Sequence, residues 1–331
     1  MRPALLFAAS LLVAGESAHQ RDFTFEYKAT VKDIPAGTQK LELWIPVPHD
    51  DPYQRILDVH VETPYPHQIL TGDQVNTMLH LAIEQPNESS VPVTLTFHAI
   101  RMERIQPIVF AKANIALEGD LSRWLKPDRL VPIDGQIQTW ARDVVEAAHA
   151  QTDLEMARAI YNHVVSTVKY DKSGKGWGRG DIYYACDARR GNCTDFHAIF
   201  IGYARAMGIP ARFAIGFPLP ADRGAGKIGG YHCWAEFYAK GIGWVPVDAS
   251  EAAKNPTKRE YFFGAHDENR VEFSKGRDVV LTPKQQGEPL NYFVYPYAEV
   301  DGKAYANIET GYSYRDLATV ASTDSVTVAA R

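Results

Sequence analysis

Cysteine is scarce in this chain: 331 residues hold three, Cys186, Cys193 and Cys233. So small and odd a number excludes a scaffold stapled by disulfides and leaves at least one thiol unpaired within a monomer. Long apolar runs are scarce too. The stretch 4–14 is shorter than the roughly 20 residues a spanning helix needs, and nothing later is apolar enough to span. Runs of one charge are missing: 35 basic and 40 acidic side chains are dispersed to a net charge of −5, which speaks against a nucleic-acid partner. Short C-x(2–4)-C pairs are absent, so neither a structural zinc site nor any other metal or cofactor is expected, and nothing marks a calcium site. No repeat of 20–50 residues suggests a solenoid. Oligomeric state leaves no trace in the sequence.

The chain opens with Arg2, the apolar stretch 4–14 and the small residues Gly15, Ser17 and Ala18. That order reads as a secretory signal over 1–18, with a buried N-terminal helix as the alternative. No Cys follows the apolar run, so a bacterial lipid anchor is not expected. The mature protein is expected to be exported, periplasmic or secreted.

From Phe23 apolar and polar residues alternate (Phe23, Phe25, Tyr27, Ala29 and Val31 on one face), the period of a half-buried strand. Strand-like runs recur at 41–47, 56–62, 78–83 and 91–100, separated by turn-rich breaks. This predicts an all-β, sandwich-like domain over 21–105. A connecting segment covers 106–134. Helical periodicity then appears at 136–150 and 152–169, the second opened by Thr152 and Glu155 in capping-box spacing. A Gly-rich loop spans 173–180. The segment 135–296 reads as one α+β domain, and 297–331 as a hairpin turning at Asp301-Gly302 followed by a small-residue tail.

The chemistry concentrates after Arg190. In R-G-N-C-T-D-F-H-A-I-F-I-G-Y-A-R-A-M-G-I-P-A-R-F, apolar residues recur at helical spacing from 194 to 207 until Gly208 and Pro210 stop the run. Cys193 therefore opens a helix, where the macrodipole favours the thiolate and free N–H groups can serve an oxyanion. By position alone an inert packed cysteine is as good a reading. Downstream, 230–238 and 244–248 read as two strands of a hairpin. With a three-residue loop at 239–241, His232 would face Asp248 directly, and a carboxylate there would orient the imidazole toward a thiol. A one-residue slip would separate them.

These segments, G-N-C-T-D-F-H-A, A-R-A-M-G-I-P-A-R-F, H-C-W-A-E-F-Y and G-W-V-P-V-D-A-S, together resemble the transglutaminase-like superfamily in its bacterial branch, over roughly 135–255. The resemblance implies an α+β, papain-like cysteine fold in which a helix bearing Cys193 packs on an antiparallel sheet bearing His232 and Asp248, the nucleophile, base and orienting carboxylate. It implies acyl transfer from a peptide or glutamine side-chain amide through a thioester on Cys193, resolved by water (hydrolysis or deamidation) or by a primary amine. The expected partners are thus a polypeptide or amide substrate and an amine acceptor. Tyr170, Trp177 and Tyr184 are candidate oxyanion donors beside the Cys193 N–H. Trp234 and Trp244 are candidate cleft walls, and 220–229 a candidate flexible rim. A non-catalytic module retaining the fold is the alternative function, and a metal-binding structural domain a third. A Cys186–Cys233 disulfide stays open, as do ion-pairing roles for Arg205 and Arg212.

Overall fold

A computed structural model describes residues 19–72, 76–107 and 120–317. The expected signal over 1–18 and the tail from 318 lie outside the described residues. Alternation builds the first layer as anticipated. Strand β1 (Gln20–Val31) buries Phe23, Phe25, Tyr27, Ala29 and Val31 and turns the intervening residues outward. Strands β2 (Lys40–Val47), β3 (Gln54–Glu62), β4 (Gln68–Thr71), β5 (Thr77–Glu84) and β6 (Val91–Met102) follow. Short strand β7 (Arg104–Ile105) then leads toward the helices.

Helices α1 (Gly135–Ala147) and α2 (Asp153–Thr167) come next, the latter opened by the reciprocal Thr152–Glu155 capping box. Such a cap is worth about 1 kcal/mol. A two-stranded parallel pair, β8 (Lys169–Tyr170) with β9 (Arg190–Gly191), brackets α3 (Ile182–Ala188) and delivers the chain to α4 (Cys193–Ala206). Strands β10 (Ala211–Pro218), β11 (Ala225–Lys227), β12 (His232–Ala239) and β13 (Gly243–Val247) precede α5 (Ala249–Lys254). Strands β14 (Ala265–His266), β15 (Arg270–Lys275), β16 (Tyr297–Val300), β17 (Lys303–Tyr305) and β18 (Ile308–Asp316) complete the chain.

The strands sort into three main sheets. Two have five strands, in the orders β11-β18-β1-β6-β3 and β17-β16-β2-β5-β4. Each therefore contains strands from both ends of the sequence: β18 pairs with β1 along its length, and β16 pairs with β2. Asp301-Gly302 makes the two-residue turn between β16 and β17, both residues at positive φ, as a type I′ hairpin requires. The third sheet, β13-β12-β10-β15, is antiparallel and carries α4 on one face.

One continuous core joins these layers. Phe25 on β1 lies 5.4 Å from Phe217 of β10 and 5.6 Å from Phe273 of β15, ring centre to ring centre. Phe97 on β6 lies 5.8 Å from Phe273. Burying one such side chain contributes about 1.5–3 kcal/mol, so this aromatic cluster fixes the β layers against the helix-bearing sheet. Helix α4 is buried almost all round, with every residue from Cys193 to Arg205 inaccessible. It is the central helix of the molecule, which explains why its sequence is apolar without a clear polar stripe.

The β12–β13 hairpin departs from the expected register. Ala235 faces Val247, Tyr238 faces Trp244 and Ala239 faces Gly243, so the loop is 240–242 and the pairing is displaced by two residues. An even displacement preserves the face on which each side chain points. Asp248 consequently lies past the end of β13 and serves as the N-cap of α5 instead of sitting across the ladder from His232. The segment 220–229 also differs from an open rim, because β11 pairs with β18.

Candidate active site

Helix α4 begins at Cys193 because Asn192 caps it. The Asn192 side chain accepts the Thr194 N–H at 3.0 Å, and Asp195 reaches back to accept the Asn192 N–H at 2.9 Å. Asp195 also accepts the N–H groups of Gly178 (2.7 Å) and Gly180 (3.0 Å). The Gly-rich loop is thereby tied to the helix terminus that presents the thiol. Gly191 is required beside it, since a Cβ there would stand 2.1 Å from Asp195 Oδ2.

His232 starts β12 and Asp248 caps α5, and the two meet: Nε2 of His232 donates to Asp248 Oδ2 at 2.7 Å. The carboxylate is itself held from several sides. Arg270 donates to the same oxygen at 3.1 Å, while Oδ1 accepts the Glu251 N–H at 3.0 Å and the Ser250 hydroxyl at 3.1 Å. With Nε2 committed to Asp248, Nδ1 is the ring nitrogen left for the Cys193 thiol. All three residues are buried: Cys193 is 2% exposed, His232 5% and Asp248 0%.

The electrostatics follow from that enclosure. Burial alone would raise the Cys193 thiol. Hydrogen bonds from Cys233 and His232, and the positive charge of the imidazole, outweigh burial and hold it well below the ordinary thiol range. Burial would likewise lower His232, but the Asp248 charge and hydrogen bond, then Cys193, push it up to about 10. Desolvation opposes ionisation of Asp248 as well; His232 and Arg270 overcome it and keep the carboxyl well below its usual range. All three shifts favour the charged forms, a thiolate beside an imidazolium beside a carboxylate.

Four residues around this trio went unremarked in the sequence. His197, one turn along α4, donates Nδ1–H to the Cys193 carbonyl at 2.8 Å and accepts the Ala249 N–H at Nε2 (3.2 Å). Those two bonds fix it as neutral, and burial lowers its pKa accordingly. Tyr231 places its hydroxyl 2.9 Å from Asn192 Nδ2 and 2.8 Å from Thr194 Oγ1, linking the start of β12 to the cap of α4. Arg270 and Asp195 complete the set. The N-x-x-D spacing at 192–195 is a capping signature that could have drawn attention to Asp195; the other three had no local signal.

The further sequence candidates divide. Tyr170, paired with Gly191 across β8–β9, lies in the field of the trio: after burial, the charge of Cys193 pushes its phenol upward. Trp177 has Lys172 Nζ 5.9 Å from its ring, and Tyr184 packs its ring against Gly176 with its hydroxyl buried and unpartnered. Trp234 is fully buried, 6.0 Å from His232 ring to ring, with the Arg270 guanidinium 4.9 Å over its own ring. Trp244 is not brought to the trio. It packs at the far end of the hairpin against Trp124 and Tyr238, under the Arg212 guanidinium at 3.9 Å, since the observed register pairs it with Tyr238, six residues from His232. Arg212 and Arg205 form partly buried ion pairs with Glu236 and Asp128. All three cysteines are free; Cys186 contacts the Tyr203 hydroxyl, and Cys233 lies 3.7 Å from His197 Nδ1 and 3.8 Å from Thr194 Oγ1. No group of three or more His, Cys, Asp or Glu suited to a metal occurs among the described residues. No described helix is long and apolar enough to cross a membrane.

Comparison with known proteins agrees with this fold. The chain is 29% identical to an uncharacterized protein of Haemophilus influenzae, over 86% of this chain and 87% of that one. Its fold matches the solved structure of a candidate cysteine protease from Cytophaga hutchinsonii, with a TM-score of 0.61 at 18% identity over 91% of this chain and 93% of that one. The periplasmic domain of TgpA from Pseudomonas aeruginosa, bound to ethylmercury, aligns over 74% of this chain and 94% of that one at 15% identity, with a TM-score of 0.38. The model of the transglutaminase-like superfamily matches residues 138–249, from α1 through Asp248. Residues 138–249, which hold the helix-borne cysteine and antiparallel strands it packs on, are thus similar to the core of the transglutaminase-like superfamily.

Proposed function

We propose that the protein is a cysteine-dependent acyl-transfer enzyme acting on a polypeptide amide, with Cys193 as nucleophile, His232 as acid and base, and Asp248 as the orienting carboxylate. The observation that carries this reading is the 2.7 Å bond from His232 Nε2 to Asp248, which commits one ring nitrogen and leaves the other for a thiol at a helix N-terminus. The Cys193 thiolate attacks the carbonyl carbon, forming a C–S bond and an oxyanion. Collapse of the oxyanion breaks the C–N bond, and the departing amine takes the proton from the His232 imidazolium. The product is a thioester on Cys193 and a neutral imidazole. Water or a primary amine then gives a proton to His232 and attacks the thioester; C–S cleavage restores the thiolate.

The Cys193 N–H supplies one oxyanion donor, and Tyr170 is the side chain whose environment best suits the second. Neutral His197 holds the Cys193 carbonyl and thus the first turn of α4. Cys233, whose own ionisation burial and the neighbouring thiolate oppose, stays protonated, and its hydrogen bonding is among the causes that lower the Cys193 thiol. Export of the mature chain belongs to the same proposal and rests on the sequence at 1–18.

The test is intact-mass spectrometry of a glutamine-containing peptide incubated with wild type and with Cys193→Ala, with and without a primary amine. Product from wild type alone is expected. A gain of about 1 Da marks deamidation, fragments mark proteolysis, and the amine's added mass marks transfer, all three resolving the one thioester. If wild type yields nothing and its Cys193 also resists iodoacetamide, a non-catalytic module is the better reading.

A further inference from the structure

A groove of about 920 Å³ lies at the edge of the first five-stranded sheet, away from the catalytic trio in sequence but joined to it through aromatic rings. Tyr295, Tyr297, Tyr305, Ile308, Tyr312 and Lys227 are among the residues that line it. Tyr295 stands 6.2 Å from Tyr312 and 5.8 Å from Tyr231, ring to ring. Tyr231 in turn bonds Asn192 and Thr194, the two neighbours of Cys193 in the chain. Burial and the surrounding phenols push the Tyr295 hydroxyl up to about 12, and the Cys193 charge adds to the rise, which puts that hydroxyl within electrostatic reach of the nucleophile.

One side of the groove is an unfinished sheet edge. Strand β11 covers β18 only from Ser313 to Arg315, and the cover ends where the Ile228 N–H meets the Tyr312 carbonyl at 2.9 Å. From Ile228 the chain turns away through Gly229 and Gly230 to Tyr231 and His232. The Tyr312 carbonyl points away from β1, so Thr310, two residues along, directs its own N–H and C=O the same way. No described residue pairs with either group of Thr310 on that side. An open edge beside an aromatic trough is the arrangement by which extended peptides are bound: backbone bonds supply affinity and pockets take alternate side chains.

We infer that this groove receives the substrate polypeptide as an extended strand, added antiparallel to β18 in the place that β11 vacates. The inference rests on the acyl-transfer reading of Cys193 and extends it: the substrate is an unfolded or loosely folded segment several residues long, not a small amide. From Ile308, whose N–H is taken by Ala306, to Tyr312, whose carbonyl is taken by Ile228, the edge runs about 14 Å at about 3.4 Å per residue. Tyr295 and Tyr312 would contact the added strand's side chains, and Tyr231 would lead the chain toward the thiol.

The experiment uses alkylation of Cys193 in the full protein by peptides whose central side chain carries a chloroacetamide, which needs only a thiolate. A peptide of about ten residues with alternating valine and threonine is compared with one of about three, with iodoacetamide as the reference for bare thiol reactivity. Failure of iodoacetamide to label Cys193 would remove the acyl-transfer reading itself. With that reactivity present, the long peptide is expected to label at least about tenfold faster than the short one, a difference of about 1.4 kcal/mol. N-methylation of single residues should abolish the gain at every second position, because only alternate amides face the β18 edge. Thr310→Pro, which removes an N–H the fold leaves unused, should reduce the long peptide to the rate of the short one and leave iodoacetamide unchanged. Equal rates for long and short peptides would overturn the inference. So would an N-methylation series without alternation, which would instead indicate side-chain stacking on the tyrosines. The N-methyl series decides the matter even where the proline variant fails to fold.

Discussion

Gly178 donates its backbone N–H to Asp195 Oδ2 at 2.7 Å, which ties a glycine-rich loop to the turn of helix that presents Cys193. Asp195 receives two further N–H groups, from Gly180 at Oδ1 and from Asn192 at Oδ2. Every one of these partners is a donor. Asp195→Asn keeps the shape but turns an NH₂ toward at least one of them. The expected result is a loss of about 1–3 kcal/mol, the cost of a buried donor left without an acceptor. Cys193 alkylation should slow as well, because the α4 cap and the loop are no longer held together. Urea unfolding at unchanged slope reads the first effect; a variant as stable as wild type would show that the clamp contributes nothing.

The charge pattern of the trio fixes a pH window. The Cys193 thiol is depressed, so the thiolate persists as pH falls until that lowered pKa is reached. His232 is raised to about 10, so the imidazolium persists as pH rises to that point and is lost above it. Alkylation of Cys193 should therefore stay fast at pH 6, where an ordinary thiol of pKa about 8.5 is protonated. Acyl transfer should fall near pH 10, where the proton for the leaving amine is gone, while alkylation should not. Asp248→Asn removes the carboxylate charge that raises His232. It should move that alkaline limb to lower pH and reduce kcat/KM by about 10²–10⁴. An alkaline limb that does not move would assign the His232 shift to some other group.

How far the sequence reached is clearest at Asp248. The expected pairing sets Asp248 directly across the ladder from His232, but the observed register is displaced by two residues and Asp248 lies past the end of β13, so the two meet without being ladder partners. The role of Asp248 as the cap of α5, and the Arg270 that holds it, do not follow from the sequence. Arg270 arrives from β15, more than twenty residues on, and only tertiary packing brings it there. Local signals worked where the physics is local: the α2 capping box, the start of α4 at Cys193, the Asp301-Gly302 turn. They failed where strands from opposite ends of the chain share a sheet, since nothing in 308–316 announces β1 as its partner. Trp244 misled for a related reason. It shares a sheet face with His232, but register sets its distance along the strand, and that distance takes it to Trp124.

Cys233 offers a sharper probe of the Cys193 thiol than any charged neighbour. Its thiol is buried and resists ionisation, and its hydrogen bonding is among the causes that lower the Cys193 thiol. Cys233→Ala removes that hydrogen bonding and little volume. The Cys193 pKa should then rise, so the acid limb of its alkylation profile moves to higher pH while the plateau rate above it is retained. Fold stability should change by less than about 2 kcal/mol, since a single small buried group is lost. An acid limb unchanged in Cys233→Ala would leave His232 and the helix terminus as the whole cause of the depressed thiol.

Gly216 couples the fold to the site most directly. It pairs with His232 on the β12 side and sits at the bulge where β10 changes register against β15. A Cβ at this position would stand 1.8 Å from the Val271 carbonyl oxygen and 2.8 Å from its carbon, both backbone atoms with no rotamer to adopt. Gly216→Ala must therefore part β10 from β15 or push β10 toward His232. The expected cost is about 3 kcal/mol or more, the upper range for overpacking a close-packed interior. Gly208→Ala supplies the comparison: its φ of +80° disfavours a side chain, but nothing lies within 4 Å of the added Cβ. That substitution should cost only about 1–2 kcal/mol, the penalty of the left-handed backbone. Thermal unfolding of the two variants separates steric exclusion from backbone conformation. Low-pH alkylation of Cys193, lost in Gly216→Ala and kept in Gly208→Ala, would tie the β10–β15 bulge to the seating of His232.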